Sequence, residues 1–384
     1  MKKHHRLLVT CLATAVVTAF WVFLVILPDT SLSQLSCFVL YGKVPMLDWN
    51  FIRHAADFSD AYVNVNLPEV FAGAGPIRKA DICNPALAML LVRIFPATFG
   101  WGVAVTALGT ALYLLAAAFY LRRRVGVAAP WAAGTLVATL PFYAAFLVGN
   151  VILFAAAAGL VFLALYDSES RHERVVAALA LAFAFAVKIS PVALGVLYFA
   201  AWRKQWRYAA LAAGVAVLLL LVPFAAYGGL EGFGNWLSCA AANSAYYESR
   251  NIIGLYGVFY ALSAAFGKYW QWYPSAHGVM HMLSAMLGLG ALAVAAWGRK
   301  TPVERTFLAT AGMVMLPPTM MIYTLLFALP TMLALPGRAA ALAFVAVVSP
   351  LQVFIAGYSI QPLLSAAAFL FLAVGVLLPN RSER

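Results

Sequence analysis

Charge is the scarcest property of this chain. Asp, Glu, Lys and Arg make up 10% of 384 residues, and only 13 residues are acidic. A soluble globular domain carries about 25% charged residues, so an ordinary water-soluble fold is excluded. Cysteine is equally sparse: Cys11, Cys37, Cys83 and Cys239, with no C-x-x-C pair. That removes the usual ligand spacing of a structural zinc site. The chain also lacks a Walker loop, a G-x-G-x-x-G turn, H-E-x-x-H and G-x-S-x-G. Soluble nucleotide chemistry, zincin chemistry and the hydrolase elbow therefore have no support. No solenoid-type repeat or low-complexity tract is present.

What fills the sequence is apolar: 65% of residues are hydrophobic, and mean hydropathy is +0.90. Apolar runs of about 17–25 residues suit helices that cross a bilayer. Only helices or closed barrels satisfy their backbone there, and no barrel-type alternation is seen. The expected fold is an all-α integral membrane protein with about twelve spans. They fall near 7–27, 101–121, 127–147, 150–166, 174–187, 190–202, 207–226, 279–297, 303–316, 319–335, 339–356 and 361–378. The first run is long, lacks a small-x-small cleavage site and is read as an uncleaved span.

The net charge of +12 suggests nucleic acid until the charges are mapped. With the N-terminus inside, the inner loops and termini hold 17 of the 25 basic residues. Among them are Arg122–Arg124, Arg203, Lys204, Arg207, Arg299 and Lys300. The positive-inside rule accounts for this bias, and no nucleic-acid partner is required. The topology requires that the apolar piece 85–95, short and ending at Pro96, stay interfacial or re-entrant. Cys37, Cys83 and Cys239 then face outward. A Cys37–Cys83 bridge needs an oxidising compartment, and sequence does not decide it.

Two long segments break the apolar pattern, 29–100 and 227–278, both on the outer side. The first gathers Asp48, Asp57, Asp60, Glu69 and Asp81 with Arg53, His54, Arg78 and Lys79. The second is rich in Gly, Asn, Tyr and Trp, and includes Glu248, Arg250 and Asn251. Three turns share that side: Gly149-Asn150, Lys188-Ile189-Ser190-Pro191 and Pro317-Pro318. Proline at the last two ends helix locally.

Asp48 is the sharpest candidate for chemistry, at the start of an expected interfacial helix. A carboxylate among apolar and aromatic neighbours suits a general base; its bland role is a helix N-cap. Arg53 and His54, one turn on, are candidates to bind phosphate or orient the carboxylate. Asp57 and Asp60 read as solvated charges. Lys188, between two apolar helices, is a candidate to meet a lipid phosphate, or else it snorkels. Arg250 is a second phosphate candidate, since arginine grips phosphate oxygens in a fork; its bland role is a pair with Glu248.

In this order the motifs resemble membrane glycosyltransferases of the GT-C fold, most closely glycosyltransferase family 87. Family members include polyprenyl-phosphate-mannose-dependent mannosyltransferases. The likeness rests on Asp48 with Ala55-Ala56, on Gly149-Asn150, on Lys188-Ile189-Ser190-Pro191 followed by Trp202-Arg203-Lys204-Gln205-Trp206-Arg207, and on Ser249-Arg250-Asn251 before Gly254. Two places depart from the family pattern. Asn84-Pro85-Ala86 stands where Tyr-Pro-Pro is common, and Tyr323 stands where a late histidine is common.

The resemblance implies a GT-C helical bundle and an inverting sugar transfer on the outer face of a bacterial inner membrane. The donor would be a polyprenyl-phosphate-linked sugar, mannose or a similar hexose or pentose, and the acceptor a lipid or glycan. Asp48 would deprotonate the acceptor; Lys188 and Arg250 would stabilise the leaving phosphate; Asn150 and Tyr323 would line the sugar pocket. With no D-x-D pattern, no metal or other cofactor is implied. The rival classes are a polytopic transporter or lipid-linked-sugar flippase, and a non-catalytic assembly factor. Broken helices suit the transporter, but the chain shows no inverted repeat.

Overall fold

The computed structural model describes residues 2–26, 46–62, 84–126, 130–247, 273–317, 322–348, 354–355, 358–359 and 361–378. Cys37, Cys83, Glu69, Arg78, Lys79, Asp81, Glu248, Arg250 and Asn251 lie outside these residues. In chain order the helices are α1 (Lys2–Ile26), α2 (Leu47–Ala55), α3 (Ala86–Arg93), α4 (Phe99–Arg124), α5 (Leu140–Val148), α6 (Ile152–Leu165), α7 (Arg171–Val187), α8 (Trp202–Leu221) and α9 (Gly229–Tyr247). They continue as α10 (Tyr273–Trp297), α11 (Pro302–Met315), α12 (Leu329–Ala334), α13 (Arg338–Val348) and α14 (Gln361–Leu377). Segments of 3₁₀ type occupy Pro130–Ala138, Ser190–Ala201, Val222–Ala226 and Ile322–Phe327. A two-residue antiparallel ladder pairs β1 (Phe354–Ile355) with β2 (Tyr358–Ser359).

Local sequence explains several boundaries. At α11, Thr301 Oγ1 accepts the Glu304 N–H (3.3 Å) and the Glu304 carboxylate accepts the Thr301 N–H (2.9 Å). Pro302 takes the first helical position, whose N–H has no intrahelical partner. The α7 helix stops at Val187, and Lys188 is extended (φ −147°, ψ 124°), as Pro191 leads one to expect.

This is a helical membrane protein. The expected count of about twelve spans is not supported among the described residues. Among the described residues three helical stretches are long and apolar enough to cross a bilayer: Phe99–Arg124, Ser190–Ala226 and Val279–Trp297. The bent pair Trp131–Ala138 and Leu140–Val148 makes a fourth if counted as one span. Other apolar runs, among them 150–166, 319–335 and 339–356, form shorter helices. The 14 residues of α6 reach about 21 Å at 1.5 Å per residue, against a hydrocarbon core of about 30 Å. Hydropathy counts apolar runs, whereas Pro141, Gly149, Pro191 and Pro330 cut those runs into pieces. Less than half of each long stretch is buried. Exposed Leu115, Val192, Met286 and Phe371 suit acyl chains.

The described residues pack as two compact units. One comprises Met1–Leu40, Ala118–Tyr143 and Ser249–Arg384. In it α10 and α11 form a close hairpin. A Cβ on Gly312 would stand 2.7 Å from the Gly288 carbonyl oxygen and 2.6 Å from Leu292 Cγ, the small-residue approach by which helices associate in lipid. Hydroxyl pairs add polar ties, with Tyr120 and Thr306 at 2.6 Å and Thr310 and Thr331 at 3.1 Å. Arg305 covers the end of α10 by donating to the carbonyls of Ala295, Ala296 and Gly298.

The second unit comprises Tyr41–Ala117 and Ala144–Glu248, and α6, α7 and α8 form its helical body. The 37-residue stretch Ser190–Ala226 is two legs here, not one rod. Gln205 Nε2 donates to the Tyr166 carbonyl (2.7 Å), and the Arg174 guanidinium lies 4.8 Å from the Tyr208 ring. These contacts put the start of α8 beside the start of α7. The Ser190–Ala201 leg must therefore return along α7 before the chain reverses at the basic Trp202–Arg207 cluster, as expected from sequence.

One end of this body is capped by α2, α3, Val222–Ala226 and α9. Tyr62, Phe224, Tyr227, Phe233 and Trp236 pack there with ring centroids 5.4–6.0 Å apart. Tyr62 donates to the Asn84 carbonyl (2.7 Å) and Tyr227 to the Ala56 carbonyl (3.1 Å). The buried Cys239 thiol donates to the Tyr62 carbonyl (3.4 Å). The eight residues of α3 span only about 12 Å. That is well short of the hydrocarbon core of about 30 Å.

Candidate functional site

The site is assembled on the turn between α5 and α6. Gly149 is left-handed (φ +69°). Its N–H bonds the Phe146 carbonyl (3.1 Å), and the Asn150 N–H bonds the Ala145 carbonyl (3.0 Å). That pair of bonds is the Schellman ending of a helix, which favours glycine at this position. Glycine is required here for a second reason. A Cβ on Gly149 would lie 2.8 Å from both Met46 Sδ and Trp49 Cβ. The turn therefore seats directly under the start of α2.

From the other side, the Met46 N–H donates to the Leu147 carbonyl at 2.7 Å. Met46 is itself left-handed (φ 60°), an uncommon backbone for a non-glycine residue. Trp49 is 1% exposed and lies against Gly102, where a Cβ would meet its ring at 2.6 Å. Among the described residues its Nε1 finds no hydrogen-bond partner.

These contacts fix Asp48. It sits in the first turn of α2 with Met46 at the N-cap and no side-chain cap bond. The bland N-cap role is thus not the one it plays. Its Oδ2 accepts a 2.5 Å hydrogen bond from Asn150 Nδ2, and Asn150 Oδ1 accepts the Ile152 N–H at 2.8 Å. Asn150 is 5% exposed and Asp48 is half-buried. Two residues placed 102 positions apart and given separate roles from sequence form one hydrogen-bonded pair.

Arg53 also lies on α2, and it is buried. Its Nε donates to the Phe95 carbonyl (2.5 Å), tying α2 to the end of α3. It pairs with Asp57 at 2.7 Å, an ion pair without a well-aligned hydrogen bond. His54 is half-buried, edge-on to Phe58 at 5.3 Å, and among the described residues its Nε2 has no partner. Asp57 and Asp60 are exposed, as solvated charges should be. Arg93, which sequence treated only as an obstacle to a span, lies close enough to Tyr227 for its charge to act on the phenol. Burial pushes the Tyr227 phenol up, against the opposing pull of Arg93.

Lys188 is half-buried on extended backbone and makes no ion pair among the described residues. Next to it, Val187 lines an apolar cavity of about 170 Å³. Leu91 and Val92 of α3, Val105 and Leu108 of α4, and Val151 and Phe154 complete most of its wall. The cavity is thus bounded by Val151, adjacent to Asn150, and by Val187, adjacent to Lys188. Tyr323 belongs to the other unit and is buried in the Ile322–Phe327 segment. Arg250 lies outside the described residues.

The family model of glycosyltransferase family 87 matches residues 84–322, well over half of the chain. The chain belongs to glycosyltransferase family 87. No curated protein and no solved structure matches it. Membership makes this a membrane glycosyltransferase with a sugar donor and an acceptor, which favours that class over the transporter reading. The matched stretch contains Asn150, Lys188 and Arg250, begins after Asp48, Arg53 and His54, and ends one residue before Tyr323. The association of Asp48 with the family region therefore comes from its bond to Asn150.

Proposed function

We propose that the protein transfers a sugar from a polyprenyl-phosphate donor to a hydroxyl of a lipid or glycan acceptor, at the outer face of a bacterial inner membrane and within a GT-C arrangement of helices. The observation that carries the reading is the Asp48–Asn150 pair, together with an apolar cavity lined by Val151 and Val187, the chain neighbours of Asn150 and Lys188. A carboxylate, a cation and a greasy slot match the three parts of such a reaction: acceptor hydroxyl, phosphate and isoprenoid tail.

In the proposed step an Asp48 oxygen takes the acceptor hydroxyl proton. The acceptor oxygen forms a bond to the anomeric carbon from the face opposite the phosphate. The bond from that carbon to the phosphate oxygen breaks, and its electron pair leaves with polyprenyl phosphate, inverting the anomeric centre. The proton then passes from Asp48 to water. Lys188, with Arg250, balances the second charge gained by the leaving phosphate, which is stabilisation confined to the transition state and product. His54, on the same helix as Asp48, is assigned to a substrate contact beside it.

The test is transfer of label from polyprenyl-phosphate [¹⁴C]mannose, and from its glucose and arabinose counterparts, to the acceptors in membranes holding wild type or Asp48→Asn. Wild type is expected to transfer from one of these donors. Asp48→Asn should lose about 10²–10⁴-fold, the usual contribution of a general base. Full activity in Asp48→Asn would remove the base assignment, and no transfer by wild type from any donor would remove the donor class.

A further inference from the structure

We propose that Asn150 is a positioning residue for Asp48, holding its carboxylate in one orientation by bridging it to the first turn of α6. The inference rests on the reading of Asp48 as the base. It goes beyond that reading in removing Asn150 from the sugar pocket and assigning it to the carboxylate instead.

The geometry leaves the amide one useful orientation. The Ile152 N–H needs an acceptor, and an ionised Asp48 needs a donor. Only Oδ1 toward Ile152 and Nδ2 toward Asp48 satisfies both. The bridge is rigid at its far end. The Ile152 N–H is one of the N-terminal donors of α6 without an intrahelical partner. The Asn150 backbone is also pinned by its own N–H to the Ala145 carbonyl. Asn150 is almost wholly buried, so its rotamers have little room. Asp48 on the short α2 helix thereby acquires the fixed direction of a residue on the helical body. Orientation is where such a bond acts on rate: a misplacement of about 1 Å in a reacting group costs about 10²-fold.

The competing role is a buried amide that merely caps α6. The two roles part at Asn150→Asp. The new side chain keeps an acceptor for the Ile152 N–H but presents a carboxylate oxygen where Asp48 met a donor. A cap alone would survive this change with activity intact. Positioning predicts that kcat falls about 100-fold or more while KM for the donor stays within about threefold, the signature of an interaction made in the transition state. Because Asn150→Asp buries a second carboxyl and risks misfolding, Asn150→Ala is compared in the Asp48→Asn background. If Asn150 acts through Asp48, the double variant is no slower than Asp48→Asn alone; a separate structural role makes the losses multiply.

The assay is the same membrane transfer from polyprenyl-phosphate [¹⁴C]mannose, or from whichever donor sugar wild type accepts, with protein amount fixed by immunoblot. Low kcat in Asn150→Asp, with no added loss in the double variant, supports the proposal. An active Asn150→Asp beside an inactive Asp48→Asn, or multiplying losses, overturns the positioning role and leaves Asp48 as the base. An active Asp48→Asn, or a wild type silent with every donor, removes the base reading and this inference together.

Discussion

Gly149→Ala tests the seat of the site most directly. Two costs are expected. An alanine at φ +69° takes on left-handed backbone, about 1–2 kcal/mol. Its Cβ also enters at 2.8 Å from Met46 Sδ and Trp49 Cβ. The thioether can swing aside, but Trp49 Cβ sits next to backbone, and overpacking of this kind costs about 1–3 kcal/mol. The sum, about 2–5 kcal/mol, is a large share of the 5–15 kcal/mol typical of a folded protein. Gly229→Ala is the matched control: φ is +62°, with nothing within 4 Å of the added carbon, so only the backbone cost applies. The measurement is thermal unfolding of both purified variants in detergent beside their transfer activity. Gly149→Ala should melt clearly below Gly229→Ala and lose kcat, because the α2 start that carries Asp48 must move. Equal melting points with equal activity would refute the claim that this turn is packed on α2.

Lys188→Met should lower kcat about 10²–10³-fold, the loss seen when one donor to a developing anion is removed, with Lys188→Arg retaining most of it; a fully active Lys188→Met assayed with the accepted donor would take Lys188 off the phosphate. Leu108→Trp should narrow the apolar cavity. Displacing even two carbons of a bound tail costs about 1.6 kcal/mol at ~0.8 kcal/mol per carbon, so KM for a long-chain donor should rise more than tenfold. KM for a short-chain analogue that does not fill the cavity should hold, and an equal rise for both would place the tail elsewhere.

The short α2 helix, the helix break at Lys188 and the reversal at Trp202–Arg207 were all legible in the sequence, because each is set locally. Proline and glycine end helices by backbone chemistry, and basic aromatic clusters mark a bilayer surface. The span count was not legible in the same way. Leu, Ala and Phe runs read alike whether the helix is continuous or divided, and hydropathy carries no term for a left-handed Gly149. Asn150 was picked out as a turn residue, but its partner lies 102 residues away, and no local signal records such a pairing. Arg53 shows the reverse difficulty. Beside His54 it reads as a phosphate ligand, whereas in the fold its guanidinium reaches the Phe95 carbonyl and Asp57. Arg93 looked like an interruption of an apolar piece, and only packing brings it to Tyr227.

The end of α5 explains how Asp48, the proposed base, is held firmly. A helix leaves its last carbonyls without internal partners, and in a water-poor setting each must be matched. Here the Gly149 turn takes those of Ala145 and Phe146, and the Met46 N–H takes that of Leu147. The third bond is the one that matters for Asp48. It makes the start of α2 part of the solution to an unpaired-carbonyl problem in α5, so α2 cannot lift away without exposing that carbonyl. The left-handed Met46, normally disfavoured by about 1–3 kcal/mol, is held in place by the same bond and by contact with Gly149. Asp48 is two residues beyond it, and Asn150 one residue beyond Gly149, so the backbone tie and the amide tie grip α2 on either side of the carboxylate. The Asp48 carboxylate is thus tied to α5 and α6 from both sides, the preorganisation that its proposed role as base requires.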